Sequence, residues 1–420
     1  MSTEASYKLM SQTMDFKNLT QGHLKVLMEQ VEKLNFDIST INSAKLVVHE
    51  TSHYFDHLVT LSGQKMLVQI YNALNEYESI NDALLRNEAK PDAPNIIRFL
   101  NTLKNWNHKK FATELYNGSH RSGFQNWSYY FETTTDLDIF NNPNDEELLT
   151  VTFKYHGIPY ARVPFTIESL WESNAMWAEI IYHFDLACKL DTGARAVEGN
   201  EMDRKYEQYL YNPELFVYSV AAHLISSFFK LGDIPRIFCL SKALSSISLN
   251  LPFRFYREIK KTNGTVFNGL VNRLIETANN LNPTFIFLAL LENIVESGFD
   301  INDLCSEHGF DVNKILAINN LPERLVLNEE ILREMNELSL QVAGPHTELY
   351  SFHKNLGLKY FDIFGIEGGL NQHPAFLIAL ANNSQSCVFQ GWDEETVEEE
   401  ESEAYKRQNL FEKVFNCMTT

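Results

Sequence analysis

Apolar residues recur at helical spacing along most of this chain, and at strand spacing clearly in one place. Residues 1–38 read as helical and mixed in polarity. Asn42 or Ser43 is placed to cap a helix over roughly 44–61 that stops before Gly63, and a second helix follows from about Gln64 to Leu85. KPDAPN (90–95) breaks the pattern, and 96–116 reads as helical again. The aromatic stretch 117–136 has neither period and reads as a surface loop pinned by its rings. LLTVTFKYHGIPYARVPF (148–165) gives two β-runs around a turn at HGIP, and a helix starts near Thr166 and runs to about Lys189.

Beyond the polar, glycine-containing segment 191–205, stretches such as 215–231 and 268–281 return to helical spacing. GFDIN (298–302) and GFDVN (309–313) each offer an Asp to cap a short helix. The pattern therefore predicts a predominantly helical α+β protein: an N-terminal domain with a small hairpin (1–198), a mainly α-helical domain (199–392), and an acidic tether with a short amphipathic helix (393–420). In that last helix Leu410, Phe411, Val414 and Phe415 form the apolar stripe, and docking on its own protein is expected over docking on a partner.

Size and charge narrow the function. The 420 residues exceed what one ordinary core serves, and 44% hydrophobic residues exclude a disordered chain. A formal net charge of −20 makes nucleic acid and anionic membranes poor partners. Cys188, Cys239, Cys305, Cys387 and Cys417 are scattered without a CxxC pair, as expected of free thiols in a reducing compartment. With no apolar leader at the N-terminus and no run long enough to span a bilayer, a cytoplasmic location is expected.

The chemistry concentrates in HETSHYFDH (49–57). A helix turns about 100° per residue, so His49 and His53 fall on one face and can reach one Zn²⁺. Glu50, beside them, is placed to take a proton from water that the metal has made more acidic. The helix is apolar nearly all round, and a buried His-Glu-His needs a compensating partner such as a metal. A second helix carries Glu168, Glu172, Ala175 and Glu179 within about 60° of one another, and stacked carboxylates are unfavourable without a cation.

HETSH with these flanks resembles the active-site helix of the zincin metallopeptidases. The resemblance covers that helix and little else. It implies a third protein ligand further along the chain, which in the gluzincin branch is a Glu on a later helix. Glu172 fits that place best, being central in the stripe and followed by x-x-Ala as in several gluzincins; Glu168 and Glu179 are the alternatives. Met176 stands where the gluzincin pattern has Asp, and Glu172 lies 119 residues beyond His53, with the hairpin between them.

Asp56 and Glu179 are expected to hold ligand imidazoles from behind, and His57 to pair with a neighbouring acid. Tyr155, His156 and Tyr160 are candidate oxyanion donors. The implied activity is zinc-dependent hydrolysis of peptide bonds in a protein or peptide substrate, with Glu50 as base. The helical half would select substrates, hold the enzyme inactive, or bind a partner protein. A zinc hydrolase of a small amide and a metal-stabilised, non-enzymatic scaffold are the alternatives, and the intact Glu50 argues against the scaffold.

Overall fold

The computed structural model describes residues 5–33, 38–86, 93–106, 113–114, 126–137, 143–264, 269–272, 282–306, 309–338, 341–367, 374–389 and 403–419. Strands β1 (Ala5–Lys8) and β2 (Thr13–Phe16) come first, then helices α1 (Gln21–Lys33), α2 (Ile41–Val59), α3 (Leu61–Leu85) and α4 (Pro94–Trp106). β3 (Thr113–Glu114), β4 (Trp127–Leu137), β5 (Pro143–Tyr155) and β6 (Ile158–Pro164) make an antiparallel sheet in the order β3-β6-β5-β4. Four helices follow: α5 (Ile167–Lys189), α6 (Thr192–Tyr211), α7 (Phe216–Phe229) and α8 (Ile234–Asn250). After α9 (Pro283–Ser297) come the two-residue strands β7 (Cys305–Ser306) and β8 (Gly309–Phe310). The remaining elements are α10 (Val312–Ile318), α11 (Arg324–Leu338), α12 (Thr347–Phe364), α13 (Pro374–Asn383), β9 (Cys387–Phe389) and α14 (Glu403–Thr419). The protein is predominantly helical α+β, and no helix among the described residues is long and apolar enough to cross a membrane.

The axis of the fold is the pair α2 and α5. Nearly every α2 residue from Ala44 to Val59 is buried, because α3, α5, α12, α13 and the β1–β2 edge surround it. The helix begins at Ile41, so Asn42 and Ser43 lie within its first turn rather than capping it. At its other end Thr60 Oγ1 donates to the Asp56 carbonyl (2.6 Å) and accepts from Gly63 N (3.0 Å). A Cβ at Gly63 would lie 2.1 Å from the His57 carbonyl oxygen, so only glycine lets α3 leave this tightly. α5 starts as the sequence predicts, with Thr166 and Ser169 capping each other's backbone N–H, and packs on α6, α7 and α8.

The predicted hairpin is present as β5–β6. His156 and Gly157 both have positive φ (50° and 78°), as a two-residue type I′ turn requires. Four other expectations are corrected. Residues 5–16 are a strand pair and not a helix, with β2 pairing in parallel to β9 (Met14 with Cys387, Phe16 with Phe389), a partner some 370 residues away that no local pattern reveals. Thr113–Glu114 is a strand where helix is expected, and Trp127–Leu137 is an eleven-residue strand where a loop is expected. Its Trp127 packs inward, with ring centroids within 6.1 Å of Tyr155, Tyr160, Tyr211 and His223. Residues 192–205 are helical, started by Asp191 accepting from Gly193 N and Ala194 N. The connected apolar core runs from Ala5 to Val414 and crosses residue 198 without a break.

Asp300 and Asp311 begin short helical turns, as expected. α14 docks on its own chain: Arg407 Nε donates to the Ser11 carbonyl (2.7 Å), and Phe411 and Val414 are buried. The acidic block 390–402 and residues 273–281 lie outside the described residues.

Candidate metal centre

The i, i+4 spacing on α2 brings His49 and His53 edge to face, with ring centroids 5.0 Å apart. α5 crosses here and presents Glu172 from its second turn. Three atoms converge: His49 Nε2 lies 3.3 Å from His53 Nε2, and Glu172 Oε2 lies 3.4 Å from the first and 3.6 Å from the second. Ligand atoms about 2.0–2.2 Å from a tetrahedral zinc stand about 3.3–3.6 Å apart, so this triangle has the edge lengths of three vertices of such a site. Two imidazoles and a carboxylate are also a donor set zinc accepts. Among the described residues these are the His, Cys, Asp or Glu groups whose ligand atoms meet in this way.

Electrostatics point to the same place. Burial pulls the His49 imidazole down, but the hydrogen bond and negative charge of Glu172 outweigh it and lift the group to about 9. Burial raises the Glu172 carboxyl, yet the two imidazoles hold it well below the usual carboxylate range. Three acceptor atoms turned toward one another require a proton or a cation between them.

Glu50 is 6% exposed. Burial raises its carboxyl above the ordinary range, against the pull of His49 and His53, and the backbone N–H of Tyr7 donates to it. Glu179 Oε2 lies 3.8 Å from His49 Nδ1, behind that imidazole. Its other oxygen accepts from Tyr206 Oη (3.2 Å) and Lys205 Nζ (3.4 Å), which fixes the carboxylate in place.

Two expected roles change. Asp56 does not hold an imidazole: its carboxylate accepts from Asn174 Nδ2 (2.7 Å) and pairs with Lys242 Nζ (3.3 Å), both fully enclosed. Asp56 lies about two turns beyond His49 on the same face of α2, roughly 10 Å along the axis, so its oxygens meet Asn174 of α5 and Lys242 of α8 instead of an imidazole. Among the described residues His57 meets no acid. Its Nδ1 takes the Tyr7 hydroxyl at 2.7 Å, its ring lies on Trp171, and burial pulls it down to about 3, so it is neutral. The hairpin candidates serve the sheet: Tyr155 and Tyr160 pack on Trp127, and His156 is exposed at the turn. Glu168 and Glu179 do not join the triangle, which Glu172 completes.

Tyr7 has no signal in the sequence. Strand β1 lays its ring over His53 (centroids 6.3 Å) while its backbone meets Glu50. Lys45, one turn before His49 on the same helix, could have been found by the spacing that joins His49 to His53. Comparison with family models, curated proteins and solved structures gives no match for this chain.

Proposed function

We propose that this chain is a zinc-dependent metallopeptidase of gluzincin type, with a zincin-like arrangement of α2 and α5 and a cytoplasmic location. The observation that carries the reading is the triangle of His49 Nε2, His53 Nε2 and Glu172 Oε2 with the buried Glu50 beside it. These three residues would hold the metal, which supplies polarisation of the scissile carbonyl and acidification of water. Glu50 would accept a proton from the attacking water and pass it to the leaving amine. Its raised pKa makes it a stronger base than an exposed carboxylate, and the Tyr7 N–H keeps it oriented. Glu179 steadies the His49 ring through Nδ1.

A structural site has no use for a base, so Glu50 favours the enzyme over a metal-stabilised scaffold; a small amide remains the alternative substrate. The test is Glu50→Gln, read by elemental analysis and by hydrolysis of a quenched fluorescent peptide library. One zinc per chain in both proteins, with hydrolysis only in the wild type, supports the proposal. Zinc without hydrolysis in the wild type supports the scaffold.

A further inference from the structure

Next to the metal cluster, α2, α5 and α6 enclose a pocket of about 360 Å³. Its wall carries Lys45, His183, Glu198, Glu201, Arg204 and Lys205. The acids in it already have partners: Glu198 Oε1 sits 2.5 Å from His183 Nε2, and Glu201 pairs with Arg204 at 2.6 Å. Lys205 reaches Glu179 at 3.4 Å, the carboxylate that also stands behind His49.

Lys45 is the group left over. It is 6% exposed and makes no ion pair among the described residues. Its ammonium lies against the Tyr206 ring at 5.7 Å, and that of Lys205 lies against the same ring at 5.5 Å. Two like charges thus share one wall, with Glu179 and the His183-bound Glu198 as the nearby carboxylates and neither within ion-pair distance of Lys45 among the described residues. A buried lysine so placed is costly unless an anion joins it. Burial and the neighbouring Lys205 ammonium pull Lys45 down to about 8, against the opposing pull of the Glu179 and Glu198 carboxylates.

We propose that this pocket is a carboxylate-binding subsite, in which Lys45 and Lys205 receive an acidic group of the substrate. Lys45 is one helical turn, about 6 Å of rise, from His49, so the acid lies within a residue or two of the bond presented to the cluster. That the carboxylate belongs to a peptide rests on the peptidase reading above. The acid is either an Asp or Glu side chain or the C-terminal carboxylate, which present the same two oxygens.

The full-length Glu50→Gln protein separates these by ligand-observed NMR with three probes: acetyl-Ala-Glu-amide, acetyl-Ala-Gln-amide and acetyl-Ala-Ala with a free C-terminus. At least one carboxylate probe should bind about tenfold or more tighter than the Gln probe, the tighter of the two naming the source. Lys45→Met should erase that preference and Lys45→Arg keep it. Lys205→Met, at a half-exposed position that folding tolerates, should reduce it. The preference should survive zinc removal by a chelator, since neither lysine is a ligand. Absence of preference, its persistence in Lys45→Met, or its loss on chelation, which would assign the carboxylate to the metal, overturns the proposal. If the preference holds in chelated protein while no peptide is ever hydrolysed, the subsite stands and the peptidase reading falls. If peptides are hydrolysed without preference, the reverse follows.

Discussion

Helices α2 and α5 hold two buried charged clusters along the same interface, and they are built in opposite ways. Around Asp56 every charge is answered within the chain: one oxygen has Lys242, the other Asn174. Around Glu172 the chain supplies only a proton held on His49: two imidazole nitrogens and a carboxylate oxygen face one another across 3.3–3.6 Å. The first cluster is complete as folded and is a structural fastening. The second is held in the metal-free chain by the proton on His49, whose place a metal ion would take. Burial alone does not mark a candidate site; what marks it is a set of metal-ligating atoms aimed at one point.

Substitutions in the two clusters should therefore fail differently. The largest effect is expected at Glu50, where Glu50→Gln lowers kcat/KM by about a hundred- to ten-thousandfold with zinc content unchanged. A variant that loses zinc along with activity would make Glu50 part of the metal's support rather than its base. Next, Lys242→Met leaves Asp56 buried without its counter-charge and should cost about 3–5 kcal/mol in denaturant unfolding. The zinc content of the folded fraction should stay at one. His49→Ala or His53→Ala should do the opposite, abolishing tight zinc binding in a chain that still folds. If Lys242→Met empties the metal site, the two clusters are not independent.

A smaller effect sharpens the boundary between them. Glu179→Gln, removing the charge behind His49, should weaken zinc binding by about ten- to a hundredfold in a competition titration. The smallest is a pH slope. In the metal-free chain Glu172 keeps His49 protonated up to about 9, so zinc has to displace that proton. Affinity should rise with pH by up to about tenfold per unit until about 9, then level off. The sign is reversed for the metal-free fold: the pair's contribution to stability is full below the ordinary imidazole range and is lost as pH rises through about 9. A flat zinc affinity over that range would mean that His49 is already neutral.

The parts of this picture that were legible in sequence are those carried by local periodicity. The i, i+4 histidines, the glutamate stripe of α5 and the alternation of β5–β6 each encode their own geometry within a dozen residues. Glu172 could be ranked above Glu168 and Glu179 because only the central position of a stripe faces a crossing helix squarely. What stayed hidden depends on distant partners. Tyr7 reaches Glu50 and His57 only because β2 pairs with β9, and Asp56 belongs to Lys242, 186 residues away. Strand β4 was unreadable for a related reason: its rings bury against α7 and the sheet, and that tertiary contact sets its conformation. The helix over 192–205 was hard to read because an exposed helix needs few apolar residues, and its Asp191 cap is a local sign of it.

The claim that His49, His53 and Glu172 form a zinc site is tested most directly by X-ray absorption at the zinc edge of the full-length protein loaded with one equivalent of metal. The account predicts a four-coordinate first shell of nitrogen and oxygen at about 2.0–2.2 Å, with the outer-shell scattering of two imidazoles and no sulfur. In Glu172→Ala the two imidazoles should remain and the metal should bind more weakly. A spectrum showing sulfur at about 2.3 Å, a single imidazole, or the hydrated ion unchanged by His49→Ala would contradict it.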